Sequence, residues 1–303
     1  EMRESDWSSD VCSSDLMQEL QAKPAAGLSP EERKLVALYE AFTDTKQIDD
    51  RGLAPVKSDL SYLGSLKTHK DVARAMASVR LGTDGIYGLY IGVDDKNPNA
   101  YSVNLGQSGL GMPDRDYYLS DNGDIVKVRT AYKKFLADML KLGGYSDPEG
   151  RAAKVYALEE KIAEAQWARA DRRDADKIYN PMSFGDLQKL APGFDWKAAF
   201  KEAGIPLSGP KGERQVIVAE KSAFPKLAAI FKETPVPVWR DYLIVHYLSA
   251  NAAYLPGKFD ALDFSFYGTA LSGNTEQLDR PTRGVRLIDG TATIIERHGL
   301  GDL

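Results

Sequence analysis

Apolar residues recur along most of the chain at the spacing of amphipathic α-helices. Ser29-Pro30-Glu31-Glu32 predicts a helix start, because Ser and Glu three residues apart form a capping box and Pro suits the first helical position. Leu35, Leu38, Tyr39 and Phe42 follow on one face of that helix. The same period predicts further helices through residues 60–66, 72–79, 125–142 and 155–165, after caps at Ser183 and Asp195, and over 222–233, 238–254 and 259–271.

The period changes between residues 86 and 105. Residues 86–93 (IYGLYIGV) are mostly aromatic or β-branched, and Tyr101, Val103 and Leu105 alternate with polar residues. The polar stretch 94–99 between them is typical of a turn, so we predict an antiparallel hairpin with a bulged or wide connection longer than two residues. Residues 214–219 favour a further short strand. The predicted fold class is therefore mainly α, a multi-helix domain with one small antiparallel β-hairpin.

Composition and charge narrow the function classes. The chain has 303 residues, 43% of them hydrophobic and 27% charged, and a formal net charge of −5 at pH 7. Residues 1–16 hold five acids and one base, a net charge of −4, which leaves −1 for the rest. A body this close to neutral argues against a nucleic-acid or anionic-membrane surface, since both need clustered Lys and Arg. No apolar stretch approaches the ~18 residues of a membrane helix, so we predict no membrane-spanning segment.

The first sixteen residues, EMRESDWSSDVCSSDL, differ from the rest of the chain. They are rich in Ser and Asp, lack helical or strand periodicity and hold Cys12, the only cysteine. Residues 6–16 are similar to the conceptual translation of a common sequencing adapter. We therefore interpret 1–16 as a non-native sequencing or assembly scar and expect it to be disordered. The domain is then expected to span 17–303 and to be incomplete at both ends.

Few residues in the sequence could carry chemistry. The histidines, His69, His246 and His298, are too far apart in sequence for a helical metal-binding pair, and no H-E-x-x-H motif occurs. We expect His69 to be solvated and His246 to be packed and hydrogen-bonded. Adjacent helical residues point in different directions, so we interpret Glu159 and Glu160 as solvated charges and not as an acid–base pair. No catalytic residue and no metal ligand is therefore predicted in this chain.

An ordered series of motifs runs through residues 94–273, within a resemblance that covers about residues 33–290. It consists of DDKN at 94–97, LGMPDRDYYL at 110–119, LEEKIA at 158–163, RD at 173–174, YNPMS at 179–183, WRDYL at 239–243 and FYGTALSG at 266–273. At this spacing the series resembles the neprilysin/endothelin-converting-enzyme family of zinc metallopeptidases, and a body without cysteine is similar to its bacterial members. One departure is Pro281, where the family usually has Trp; Pro is compatible with a first helical turn.

The resemblance implies that the parent protein is a zinc-dependent metalloendopeptidase that hydrolyses oligopeptides. In the family, H-E-x-x-H and a later Glu bind zinc C-terminal to the region matched here. It follows that 17–303 would form the helical N-terminal domain that encloses the substrate cavity. This fragment alone would be inactive and bind no zinc. Its partners would be peptide substrates and the missing C-terminal catalytic domain. Bacterial members imply a periplasmic or extracellular location, which this chain does not itself define.

The alternative is a non-enzymatic helical binding or scaffold protein, or an inactive peptidase paralogue whose catalytic half is lost. An H-E-x-x-H motif in the parent reading frame would separate the two hypotheses.

Arg115, Asp116 and Tyr117 are the candidate substrate-cavity residues. By resemblance, their loop could line the cavity. The residues themselves favour a structural role, in which Arg115 pairs with a local carboxylate or with carbonyl groups and the tyrosines pack against the hairpin.

Overall fold

The computed structural model describes residues 14–82, 85–209 and 212–298, with side chains up to residue 289. Helices make up most of the described chain, which confirms the predicted fold class. The α-helices are α1 (14–22), α2 (Pro30–Thr43), α3 (Thr45–Arg51), α4 (Lys57–Ser65), α5 (His69–Met76), α6 (Asp116–Leu119), α7 (Gly123–Leu142), α8 (Pro148–Ala165), α9 (Phe184–Leu190), α10 (Trp196–Glu202), α11 (Phe224–Glu233), α12 (Val236–Ala250), α13 (Gly257–Asp263) and α14 (Arg280–His298). A π-helix (Phe264–Leu271) follows α13, and short 3-10 helices cover Ala25–Gly27, Ala54–Val56, Asp171–Arg173 and Ala252–Tyr254.

Polar caps start the helices where the sequence predicts them. At α2, Ser29 Oγ accepts the N–H of Glu32 (3.1 Å) and the Glu32 carboxylate accepts the N–H of Ser29 (2.7 Å). This capping box satisfies two N–H groups that the helix itself leaves unpaired. Thr68 caps α5 in the same way. The helix predicted through residues 72–79 is too long, because α5 ends at Met76 and the side chain of Val79 is 83% exposed.

The predicted hairpin forms the edge of a larger sheet. The strands are β1 (Tyr87–Asp94), β2 (Asn97–Gln107), β3 (Asn180–Ser183), β4 (Ser208–Gly209), β5 (Gly212–Glu213) and β6 (Gln215–Val218). β1 and β2 pair antiparallel, from Tyr87 opposite Gln107 to Val93 opposite Tyr101. The predicted bulge is present as a register shift between Val93 and Asp94. The connection itself is shorter than predicted, because Asp94 pairs with Asn97.

The predicted hairpin is present, but the prediction of a single small hairpin missed the rest of the sheet. β6 pairs parallel with β2, and β3 pairs antiparallel with β6, which gives the strand order β1-β2-β6-β3. β3 has only four residues, one of them Pro181, so it is too short to show an alternating pattern. It ends at Ser183, which also caps α9, and the sequence predicted only this cap. β4 and β5 form a separate two-residue ribbon.

The main core lies where α7, α8 and α12 pack together and meet the base of the sheet. The predicted stripe of α7 is buried at Tyr132, Phe135 and Met139, and Trp239 of α12 is fully buried. Its indole N–H donates to the carbonyl of Phe231 (3.1 Å), which satisfies the only polar atom of that side chain. No helix in the described ranges is long and apolar enough to cross a membrane.

A smaller apolar cluster joins the two ends of the described chain. Met17 and Leu20 of α1 pack with Val36 of α2 and with Val285 and Ile288 of α14. Residues 14–16 are the first turn of α1, so the expectation of a disordered segment up to residue 16 is wrong for these three residues. Residues 1–13, including Cys12, lie outside the described residues.

The helices before α14 bring a charged cluster to its start. Asp260 of α13 accepts from Arg280 (3.1 Å) and from Arg283 (2.8 Å). Asp279 accepts the N–H of Thr282 (2.7 Å), so Pro281 stands in a capped first turn, as predicted. One helix over 259–271 was expected. Instead α13 ends at Asp263 and the chain continues as a π-helix.

Candidate functional site

Residues 108–119, which include the candidate cavity residues, form a loop that ends in the short helix α6. Tyr118 of α6 is almost completely buried beneath this loop. Its hydroxyl oxygen accepts hydrogen bonds from the N–H groups of Gly111 and Met112 (both 3.1 Å). Its O–H donates a hydrogen bond to the carboxylate of Glu159 (2.6 Å). The phenol group of Tyr118 therefore ties the loop backbone to helix α8.

Glu159 is the centre of this arrangement. Its side chain has no exposed surface, and it accepts from Tyr118, from Tyr132 (3.0 Å) and from Nε2 of His246 (2.8 Å). In the tautomer that carries the imidazole proton on Nε2, His246 donates to this carboxylate. Burying a carboxylate is costly unless hydrogen bonds compensate it, and three donors from α6, α7 and α12 do so here.

The tyrosines around Glu159 are held in their protonated form. Burial, and next the nearby negative charge of Glu159, raise the pKa of Tyr118 and of Tyr132 well above the ordinary value. Burial likewise raises the pKa of Tyr267. The phenols therefore act as fixed hydrogen-bond donors, which favours a structural role for Glu159 and the tyrosines around it.

Two further hydroxyls fix the glycines of the loop. Tyr242 donates to the carbonyl of Gly109 (3.0 Å), and Tyr267 of the π-helix donates to the carbonyl of Gly111 (2.9 Å). Gly111 must lack a side chain, because a Cβ there would stand 1.8 Å from the hydroxyl of Tyr132. We call Glu159 together with Tyr118, Tyr132, His246, Tyr242 and Tyr267 the Glu159 clasp.

A small cavity of about 220 Å³ opens beside the clasp. The backbone of Gly109 and Gly111 forms one wall, and His246, Ser249 and Tyr267 form the other. Ser249 donates to Asp263 (3.0 Å), so its hydroxyl is engaged. Burial is also the main cause that raises the pKa of Asp263 from 3.8 to about 6.

Arg115, Asp116 and Tyr117 lie together at the turn into α6, on the outer side of the clasp. Asp116 is exposed, whereas Arg115 and Tyr117 are half-buried. Nε of Arg115 is buried with no hydrogen-bond partner among the described residues. The Tyr117 carbonyl accepts from Nε of Arg129 (3.1 Å), which holds the loop to α7. The assignment of these three residues to a substrate cavity stays a prediction.

Two structural expectations are wrong, one for this loop and one for α8. Tyr118 packs over α8 and not against the hairpin, because its hydroxyl is drawn to Glu159. Glu159 itself is buried and not solvated. A signal for this was present in the sequence: Glu159 follows Val155 by four residues and precedes Ile162 by three, which places it on the apolar face of α8.

The two histidines whose side chains are described, His69 and His246, do not come together in a metal centre. His246 is packed and hydrogen-bonded as predicted. His69 is not solvated, because its Nε2 lies 2.9 Å from the carbonyl of Thr234 and its ring packs edge-on against Phe231. The side chain of His298 lies outside the described residues. Within the described residues no three His, Cys, Asp or Glu side chains come close enough together to hold a metal ion.

Comparison with known proteins places this geometry in a family. The N-terminal family model of peptidase family M13 matches residues 5–295, a range that includes part of the opening segment 1–16. The chain belongs to peptidase family M13. This confirms the resemblance of the motif series, and the M13 match covers both the Glu159 clasp and the hairpin.

Relatives of this M13 chain are longer than it is. Human endothelin-converting enzyme 1 is 25% identical over 268 residues, which are 84% of this chain and 34% of that protein. The crystal structure of the Mycobacterium tuberculosis zinc metalloprotease Zmp1 in complex with an inhibitor is 30% identical, with a TM-score of 0.84 over 95% of this chain and 45% of that chain. PepO from Lactobacillus rhamnosis shares the fold, with a TM-score of 0.76 at 18% identity. The chain thus spans between a third and a half of the relatives it matches.

Proposed function

We propose that this chain forms the N-terminal helical domain of a zinc-dependent metalloendopeptidase, and that it encloses the cavity in which oligopeptides are hydrolysed. The observation that carries the proposal is the M13 match over residues 5–295, together with the likeness of nearly the whole chain to part of a zinc metalloprotease. The Glu159 clasp would hold the loop of residues 108–119 in a fixed shape at the cavity wall.

The described residues do not fit a catalytic zinc. Such a zinc needs three protein ligands and an open position for water, whereas His69 and His246 each bond a protein oxygen through Nε2 and lie on different helices. We therefore assign no step of the reaction to residues of this chain. The zinc ligands would come from a catalytic domain, and this domain would limit access to it.

A fusion to a catalytic domain tests the proposal. The 303-residue chain would be joined to the part of the mycobacterial metalloprotease that it does not match, and compared with the unfused chain. We expect one zinc per fusion protein and chelator-sensitive cleavage of a fluorogenic peptide, but little cleavage of denatured casein, which is too long for an enclosed cavity. The unfused chain should do neither. Zinc and peptidase activity in the unfused chain, or equal cleavage of casein and peptide by the fusion, would contradict the proposal.

Asp116 offers a test of the predicted cavity wall in the same fusion. It is exposed, so Asp116→Ala should leave the free energy of unfolding unchanged within about 0.5 kcal/mol. If it contacts substrate, its loss should raise KM while kcat stays the same. Asp121→Ala, an exposed Asp just beyond α6, is the matched control and should leave KM unchanged. An unchanged KM in Asp116→Ala would remove this residue from the cavity wall.

A further inference from the structure

The outer edge of β1 lacks the features that protect exposed sheet edges. β1 is the first strand in the sheet order and pairs only with β2 within the described chain. It is eight residues long, whereas typical strands have about five to six, and it contains neither Lys nor Pro. Its only charged residue is Asp94, at its end. The edge therefore offers a row of backbone N–H and C=O groups to another extended chain.

An apolar groove of about 500 Å³ runs beside this edge. Residues 85–91 form one wall, and the chain after α5 and helix α10 form the other, with Val79, Trp196 and Ile205 among the lining side chains. None of the described lining residues is charged. Gly85, Ile86 and Tyr87 are buried, so the accessible part of β1 runs from Gly88 to Asp94. At about 3.3 Å per residue this part is about 20 Å long, the length of a paired strand of six or seven residues.

The hairpin side chains lead from the core into this groove. Leu89 and Leu105 stand opposite each other at its base, and Leu105 is buried. Farther along the same face, Ile91 is 61% exposed although it stands opposite the buried Val103. The apolar face thus continues from the core to solvent without a polar interruption, which is the arrangement of a surface that another apolar segment covers.

We propose that this groove binds an extended, uncharged peptide segment, which adds a strand to the edge of β1 and places alternate apolar side chains in the groove. Strand addition uses backbone hydrogen bonds for affinity and a groove for alternate side chains, and both elements are present together here. Because no described lining side chain is charged, a charged residue of the peptide would be desolvated there without a partner among the described residues. A second copy of this chain fits less well, since it would bring its own α5 and α10 to the same edge. The site needs neither zinc nor catalysis, so it is independent of the proposed function.

Fluorescence anisotropy with the 303-residue chain tests this site. The probe is a fluorescein-labelled peptide of eight residues that alternates valine with threonine, flanked by a lysine at each end for solubility. We expect saturable binding, weakened about tenfold or more by Ile91→Asp and by Val79→Asp, both at exposed positions where folding should be preserved. Val126→Asp, at an exposed apolar position on α7 outside the groove, is the matched control and should bind like the wild type.

Backbone methylation separates strand addition from simple apolar adhesion. Two versions of the peptide would carry N-methyl groups on alternate residues, one version on each edge. We expect one version to bind like the parent peptide and the other to lose binding, because only one edge can donate to β1. Equal binding of both versions, equal binding by the Asp variants, or no binding to the wild type would overturn the proposal. A concentration-dependent dimer that Ile91→Asp abolishes would assign the groove to a second copy instead.

Discussion

The Glu159 clasp and the groove beside β1 differ in whether their backbone N–H and C=O groups have hydrogen-bond partners within the described chain. In the clasp, the N–H groups of Gly111 and Met112 and the carbonyls of Gly109 and Gly111 all bond to tyrosine hydroxyls. Along β1, one edge pairs with β2 and the other has no strand beside it within the described chain. The comparison separates a region that is complete in itself from one that is suited to receive another chain.

The loss of folding stability on substitution should differ between the two regions, because one is a buried polar network and the other an exposed apolar face. A fully satisfied buried network is rigid, but removal of its centre leaves several donors unpaired at once. An exposed apolar face costs little to alter, because its side chains already contact water. Stability measurements should therefore respond strongly to the clasp and weakly to the groove.

The largest effect is expected from Glu159→Ala. It would leave the buried hydroxyls of Tyr118 and Tyr132, and Nε2 of the partly buried His246, without their acceptor, at a cost of about 3–5 kcal/mol in the free energy of unfolding. Urea denaturation followed by circular dichroism measures this cost. Glu164→Ala, at an exposed position of the same helix, should stay within about 0.5 kcal/mol. A loss below about 1 kcal/mol for Glu159→Ala would mean that the network does not hold the fold.

Gly111→Ala should come next, with a loss of about 2–3 kcal/mol, because its Cβ would overlap the hydroxyl of Tyr132. Adding Tyr132→Phe removes that hydroxyl, so the double variant should lose less than the sum of the two single losses. Gly64→Ala on α4 is the control, since a Cβ there would meet no described atom within 4 Å apart from its chain neighbours and the helix's own backbone. This control should be neutral or stabilise the helix by up to about 1 kcal/mol. Additive losses in the double variant would show that the overlap is relieved elsewhere.

Asp263, next to the clasp, predicts a pH dependence of similar or smaller size. Its folded pKa of about 6 lies above the ordinary value of 3.8, so between these values the folded protein binds more protons than the unfolded chain. The free energy of unfolding should therefore fall as the pH rises from about 4 to about 6 and stay lower above that. Asp263→Asn should remove this fall and be more stable than the wild type at pH 7 by up to about 3 kcal/mol. Equal pH profiles for the two proteins would contradict the raised pKa.

Periodicity was sufficient to predict most helices. It could not predict that β6 and β3 extend the hairpin into a four-stranded sheet, or that Glu159 is the centre of the clasp. The caps at Ser29 and Thr68 are local, so a few neighbouring residues determine them. β3 and β6 pair with each other and with the hairpin across long sequence separations, and β3 is too short to show a strand period.

The clasp was missed for a related reason. Polar residues on a helix are solvated in most proteins, and only the partners Tyr118, Tyr132 and His246 make burial of Glu159 possible. These partners come from three other helices. The position of Glu159 on the apolar face of α8 was the signal available in the sequence. It predicts burial of Glu159 better than the adjacent Glu160 predicts solvation.

The smallest effect tests the groove directly. Ile91 and Val103 stand opposite each other on the same face of the hairpin, but they are 61% and 5% exposed. Val103→Thr would bury a hydroxyl and should cost about 1–2 kcal/mol, whereas Ile91→Thr should change the free energy of unfolding by less than about 0.5 kcal/mol. Both variants retain a β-branched side chain, so strand propensity is nearly constant and burial is the main difference between them. If Ile91→Thr costs as much as Val103→Thr in the dilute, monomeric chain, then Ile91 is already covered and the edge of β1 is not open to a peptide.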